Sequence, residues 1–144
     1  EIKPDSYAGH HQLAVALLKK GETGQAIAHL RQSLKIKPDF AEGHYALGMT
    51  QQSQGDMKAA IRQFREGLHH TPNHAGLHNV LGAVLAQRGA LDQAIHHLEQ
   101  AVRINPDFEK ARLNLATLRR MKQNRKQGKS PSINIQIKSK DADD

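Results

Sequence analysis

The sequence predicts an all-α fold in which antiparallel pairs of helices stack one after another as a solenoid. The main observation is a repeat with a strict period of 34 residues. A period in this range is typical of stacked supersecondary units, each of which contacts only its neighbours. Four prolines at equal spacing mark the repeat most clearly. They are Pro4, Pro38, Pro72 and Pro106.

Glycine and proline together predict two helices in each repeat. A glycine near the middle of each repeat can take the left-handed conformation that ends the first helix. The proline ends the second helix because it disfavours helical dihedrals in the residue before it. The first helices are expected at about Tyr7–Lys20, Ala41–Gln54 and Ala75–Arg88, and the turn glycines are Gly21, Gly55 and Gly89. The second helices are expected at about Gly24–Lys37, Lys58–Thr71 and Asp92–Asn105.

The apolar residues support this reading because they recur at helical spacing. Leu13 and Leu17 lie one turn apart, and Ile27, Leu30 and Leu34 follow in steps of three and four. Small residues recur where the two helices of a repeat must touch, which lets the backbones approach closely. They are Ala14, Gly48, Gly82 and Ala116 in the first helices, and Ala26, Ala60 and Ala94 in the second.

The pattern divides the chain into six segments. Residues 1–6 are the remnant of a preceding repeat helix, the repeats are 7–40, 41–74 and 75–108, a capping helix follows at 109–127, and a tail occupies 128–144. Since Glu1–Asp5 matches the end of a repeat at Lys35–Asp39, we expect the chain to be a piece of a longer array. In the tail, Ile133–Ile137 alternates as a strand would, but a lone strand is marginal in water. The tail is therefore expected to be disordered.

Composition narrows the classes of function. The chain has no cysteine, which excludes disulfides and thiolate metal sites. It shows no signal peptide and no apolar run of the ~20 residues that a membrane helix needs. A membrane association is therefore not expected for this piece. The sequence leaves the location open, with the cytoplasm slightly favoured.

The net charge of +7 belongs mainly to the C-terminal end, where residues 110–140 hold ten basic residues and no acidic one. Nucleic-acid binding would require aromatic side chains beside this charge, and there are none. The basic helix is interpreted as a solvated cap, and the alternative is a site that grips phosphate or anionic lipid.

The recurring positions resemble those of the tetratricopeptide repeat family over residues 1–126. They comprise a Leu-Gly or Leu-Ala pair, the glycine turn, an Ala-Ile pair and the proline, in register in each copy. The family often has tryptophan where this chain has His10, His44, His78 and Arg112. The resemblance implies a right-handed α-α superhelix of helix pairs, a role in protein–protein interaction and no enzymatic activity.

The resemblance also implies that the first helices line a concave groove that binds a peptide or protein segment. On each helix the mapped residues step by four and seven, so they share a face. Their amides can hydrogen-bond a partner's main chain, and their apolar side chains suit a partner of modest charge. The alternative is that this face is only the solvated side of a scaffold. The candidate residues are His11, Gln12, Val15, Leu18, Tyr45, Met49, Gln52, Asn79, Val80, Ala83, Lys110 and Asn114.

A clamp for a C-terminal carboxylate is not expected. Chaperone-binding members of the family build such a clamp from Lys, Asn and Arg. In one register the corresponding positions are His11, Val15, Ala46, Gly76 and Val80. In the next register they are Tyr45, Met49, Val80, Lys110 and Asn114. Neither set is a clamp, so a chaperone tail is not the expected partner.

The recurring histidines are interpreted as seam residues between the two helices of a repeat. Stacked units stand about 10 Å apart, which is too far for His10, His44 and His78 to share an ion. A zinc site needs about four convergent ligands, and the sequence predicts none. No metal, cofactor or catalytic residue is expected, because no phosphate loop, nucleophile motif or paired carboxylate is present.

Three hypotheses of function follow. The first is an interaction scaffold with no catalysis of its own. The second is a docking or regulatory arm of a larger enzyme such as a glycosyltransferase. The third is self-association through the uncapped N-terminal end or the tail at 133–138. A related hypothesis places the Ile133–Ile137 segment in the groove of its own or a neighbouring copy.

Overall fold

The computed structural model of this chain describes residues 6–128 and 135–136, and the helices lie in the first of these ranges. No β-strand occurs in the described residues. The helices are α1 Tyr7–Lys19, α2 Thr23–Ile36, α3 Ala41–Ser53, α4 Met57–His70, α5 Ala75–Gln87, α6 Leu91–Ile104 and α7 Glu109–Lys126. The predicted remnant at 1–6, apart from Ser6, lies outside the described residues. The same holds for the predicted tail, apart from Gly128, Ile135 and Gln136.

The predicted helices are confirmed to within one residue. Each first helix begins at the predicted residue and ends one residue early. Each second helix is shifted one residue towards the N-terminus, because the residue before the proline is not helical. Lys37, Thr71 and Asn105 have φ near −131° or −132° and ψ of 87°, 76° and 92°. Proline restricts the residue before it to this extended region, so the helix ends one position sooner.

The predicted glycine turns are also confirmed. Gly21, Gly55 and Gly89 have φ of 80°, 84° and 84°, in the left-handed region. A side chain at these positions would be strained, although nothing lies within 4 Å of a Cβ built there. The glycines are therefore required by the backbone conformation and not by crowding.

The chain divides into two compact units, residues 1–72 and residues 73–144. In unit 1, α1 pairs with α2, α3 pairs with α4, and α2 contacts α3. A core cluster of Ala14, Leu17, Ala26, Leu30 and Leu47 joins α1, α2 and α3. Gly48 lets α3 approach α4 closely, as the recurring small residues predict. A Cβ at this position would overlap the ring of the buried Phe64.

In unit 2, α5 pairs with α6, and α7 contacts both of them. Gly82 lets α5 approach α6, because a Cβ there would lie 2.8 Å from Leu98 Cγ and 3.1 Å from the Ala94 carbonyl oxygen. Every residue of α5 from Leu77 to Ala86 is buried. No helix in the described part of the chain combines the length and apolarity that a bilayer span requires.

Candidate functional site

The predicted binding residues fall into two groups, one in each unit. The unit-1 set consists of His11, Gln12, Val15, Leu18, Tyr45, Met49 and Gln52. The unit-2 set consists of Asn79, Val80, Ala83, Lys110 and Asn114. Both sets lie on first helices: α1 and α3 carry the former, and α5 and α7 carry the latter.

The unit-1 set retains access to solvent. Gln12 is exposed, and the other six members are half-buried. Leu18 of α1 and Ala46 of α3, the neighbour of Tyr45, pack against the same core cluster. The side-chain oxygen Oε1 of Gln52 is buried and has no hydrogen-bond partner among the described residues. This set therefore offers apolar contact together with an unused acceptor.

His11 is the titratable member of the unit-1 set. Its ring contacts the Phe40 ring edge-on, with centroids 5.1 Å apart. Burial lowers the pKa of the His11 imidazole from its ordinary value of 6.5, and the Glu42 carboxylate opposes this shift in part. The neutral imidazole is therefore favoured in the folded chain.

The unit-2 set is buried except for half-buried Lys110. Asn79, Val80 and Ala83 have no exposed surface, and Asn114 is 1 % exposed. The structure brings the two asparagines together, since Asn114 Nδ2 donates to Asn79 Oδ1 at 3.1 Å. The sequence placed both asparagines on one face, but it did not predict their burial.

Asn114 also binds the main chain of Gln136. The Asn114 amide nitrogen donates to the Gln136 carbonyl oxygen at 2.6 Å, and the Gln136 N–H donates to Asn114 Oδ1 at 2.8 Å. A side-chain amide has one donor side and one acceptor side, so it can pair with both polar groups of a single main-chain residue. Asn79 Nδ2 is buried and lacks a hydrogen-bond partner within residues 6–128 and 135–136. Asn79 Nδ2 is therefore the donor of this amide pair that is buried without a partner among the described residues.

The seam interpretation of the histidines is confirmed. In each repeat the first-helix histidine meets a second-helix residue 19 positions later. The Nδ1 atoms of His10 and His29 are 3.0 Å apart, and so are those of His78 and His97. In the second repeat, His44 Nδ1 lies 3.0 Å from Gln63 Oε1, and its Nε2 lies 2.7 Å from the Pro38 carbonyl oxygen. No group of three or more possible metal ligands occurs in the part of the chain that the structure describes.

Two ion pairs at the surface link the basic helix α7 to α6. Lys122 Nζ lies 2.7 Å from Asp92 Oδ1, and Arg119 lies 3.5 Å from Glu99 Oε1. The Lys122 ammonium lowers the pKa of the Asp92 carboxyl. Two of the basic side chains of α7 are therefore paired with acidic side chains of the same unit.

A cavity of about 580 Å³ lies beside α7. Its lining mixes charged with small and apolar side chains. The lining residues are Val102, Asp107, Glu109, Arg112, Leu113, Leu115, Ala116 and Arg119. None of them belongs to the unit-2 set, although Leu113 and Leu115 are the chain neighbours of Asn114.

Two family models match the chain. One, described as TPR repeat, matches residues 16–55, and the other, described as tetratricopeptide repeat, matches residues 45–109. Together they span more than half of the sequence. The chain belongs to the tetratricopeptide repeat family. Its fold is an all-α tetratricopeptide repeat solenoid, as predicted, and membership of this family supports a protein-interaction role.

Solved structures share this fold at low sequence identity. The crystal structure of MamA is 23% identical with a TM-score of 0.74, covering 86% of this chain and 68% of that one. The first tetratricopeptide domain of Spaghetti (RPAP3), bound to the HSP90 peptide SRMEEVD, is 11% identical with a TM-score of 0.77 and coverages of 85% and 97%. An O-GlcNAc transferase of Thermobaculum terrenum is 23% identical with a TM-score of 0.71, covering 82% of this chain and 23% of that one. No curated protein matches this chain in sequence.

Proposed function

We propose that this chain is an interaction scaffold that binds an extended peptide or protein segment on the inner faces of its first helices, without catalysis of its own. Family membership supports the general role. The proposal that the partner binds to these faces rests on the hydrogen bonding of their side-chain amides. Gln52 Oε1 and Asn79 Nδ2 both belong to the predicted binding sets, and both are buried without a partner among the described atoms.

Unused buried amide atoms favour a polypeptide ligand. A buried donor or acceptor without a partner costs about 1–3 kcal/mol. An extended main chain presents an N–H and a carbonyl in alternation, so within either unit it can satisfy the unpaired atom there, the acceptor Gln52 Oε1 in unit 1 or the donor Asn79 Nδ2 in unit 2. Binding would then recover a penalty that the isolated chain carries.

The remaining residues define the chemistry of the partner. Val15, Leu18 and Met49 are half-buried and supply apolar contact. In the two sets, the groups that can carry charge are His11, Lys110 and the phenol of Tyr45. The faces therefore suit a partner of modest charge, whose side chains fill apolar positions while its main chain meets the amides.

The test is partner capture by the full chain and a double variant, Tyr45→Ala/Met49→Ala. Both side chains are half-buried members of the unit-1 set, so their truncation should remove apolar contact area. The matched control is Gln25→Ala/Arg62→Ala, two exposed positions on α2 and α4. We expect the double variant to lose the partners that the wild type and the control retain. Unchanged partners in a variant with wild-type helical content would refute the proposed face.

A docking arm of a larger enzyme is the second candidate. The similarity to the O-GlcNAc transferase favours it, because the matched region is a minor part of that protein. The two candidates differ in what the gene encodes beside these repeats. A nucleotide-sugar-binding domain in the same polypeptide would support the arm, and further repeats alone would support the scaffold.

A further inference from the structure

The contact between Asn114 and Gln136 is specific in its geometry. Both hydrogen bonds are short, at 2.6 Å and 2.8 Å, and both use the main chain of Gln136. The Asn114 amide is 1 % exposed and is fixed from the other side by Asn79, whose own side chain has no exposed surface. A preoriented buried amide loses little rotational freedom when it binds. The pair on α5 and α7 is therefore suited to hold an extended main chain.

The contact with Asn114 uses the main chain of Gln136 and not its side chain. The Gln136 side chain is exposed, while Ile135 beside it is half-buried. Asn114 therefore binds the main chain at position 136, and the identity of the side chain there does not matter for this contact. Any extended polypeptide with a residue able to donate its N–H could replace Gln136 there.

The position of Gln136 along the chain allows the contact to form within one molecule. Helix α7 continues from Asn114 to Lys126, a distance of about 18 Å along the helix axis. The residues from 127 to 136 can span at most about 34 Å when extended. They are therefore long enough to return along α7 to Asn114.

We propose that the segment around Gln136 occupies the unit-2 set in the isolated chain and competes there with the main chain of a partner. This inference rests on the proposed function, because it assumes that the same amides serve the partner. A segment on a short tether acts at an effective concentration of about 1 mM. A partner meets a free site only in the fraction of molecules whose segment has left, and its apparent affinity falls by that fraction.

The first experiment tests the internal contact with no partner present. Gln136→Pro removes the N–H that donates to Asn114 Oδ1, whereas Gln136→Ala keeps it. Proline at position 136 also favours extended dihedrals in the residue before it, Ile135. In the full chain labelled with ¹⁵N-asparagine, we expect Gln136→Pro to shift the Asn114 side-chain NH₂ signals. Gln136→Ala should leave them in place, because the exposed side chain makes no part of the contact.

The second experiment tests competition. The probe is a fluorescent peptide with the sequence of residues 131–140, PSINIQIKSK, added to the full-length chain. Releasing the internal segment should raise the affinity for this peptide at least about tenfold in Gln136→Pro relative to the wild type and Gln136→Ala. A peptide with proline at the position of Gln136 should bind all three chains weakly.

Several results would overturn the inference. Asn114 signals that are the same in all three chains would mean that the segment does not occupy the site. Equal peptide binding by the three chains, or no binding by any, would mean that there is no competition. A mass that rises with concentration in the wild type and stays monomeric in Gln136→Pro would place the contact between copies instead. The capture test at Tyr45 and Met49 uses residues of unit 1, so failure of the proposed function would be seen separately.

Discussion

The unit-1 and unit-2 sets occupy equivalent positions in the repeat, yet they differ in accessibility. Gln12 is exposed, and Val15 and Met49 are half-buried, whereas Asn79, Val80 and Ala83 have no exposed surface. The amides differ in the same way. Gln52 Oε1 has no hydrogen-bond partner among the described residues, while Asn114, at a different position of the repeat, uses both ends of its amide on the main chain of Gln136. Repeat-equivalent positions, such as Gln12 and Asn114, can therefore be exposed in one unit and buried in the other.

The largest expected effect is on the free energy of unfolding when an amide side chain of each set is replaced by leucine. Asn114→Leu removes hydrogen bonds to Gln136 and leaves the buried Asn79 Oδ1 without its donor. We expect it to lower the free energy of unfolding by about 2 kcal/mol. Gln52→Leu removes a buried oxygen that has no partner among the described residues, so it should be neutral or stabilise by up to about 1 kcal/mol. Urea denaturation of both variants measures the difference. Equal losses would show that the two sets are not distinguished by hydrogen bonding.

A smaller effect distinguishes the sets by pH. His11 belongs to the unit-1 set, and the unit-2 set holds no histidine. Since burial lowers the pKa of folded His11, the unfolded chain binds more protons than the folded chain as pH falls through 6.5. The contribution of His11 to stability is therefore present at neutral pH and lost on acidification. His11→Gln should reduce the slope of stability against pH below 6.5, as measured by denaturation at several pH values. An unchanged slope would show that His11 does not contribute to the pH dependence.

The smallest effect concerns the ion pair that links α7 to α6 in unit 2. The Asp92 side chain is 80% exposed and that of Lys122 is 44% exposed, and ion pairs at the surface contribute little to stability. Lys122→Gln should move the pKa of Asp92 upward, towards its ordinary value of 3.8, because the ammonium that lowers it is gone. The denaturation midpoint should hardly change. An NMR titration of the Asp92 carboxyl checks the shift, and a pKa that stays low would point to Arg125 and Lys126 as its cause.

The candidate site was only partly predictable. The repeat pattern placed Asn79 and Asn114 on first helices, and side-chain direction in a helix follows from spacing. The second-helix partners of the seam histidines were not predicted, although the recurrence of the same separation in His10–His29 and His78–His97 was visible in the sequence. For the contact with Gln136, the sequence contained one indication, which is the alternating isoleucines around this residue. That signal indicated an extended segment but not which side chain would bind it.

The sequence by itself determined the seven helices, their boundaries to within a residue, and the family. These follow from local rules, since the left-handed turn at Gly55 and the restricted residue before Pro72 act over one or two positions. Tertiary structure alone decided the burial of Asn79 and the pairing of Asn114 with Gln136. Burial depends on every atom that comes near a side chain in space, and the atoms around Asn114 come from positions 35 residues before it and 22 residues after it. No local pattern specifies that meeting.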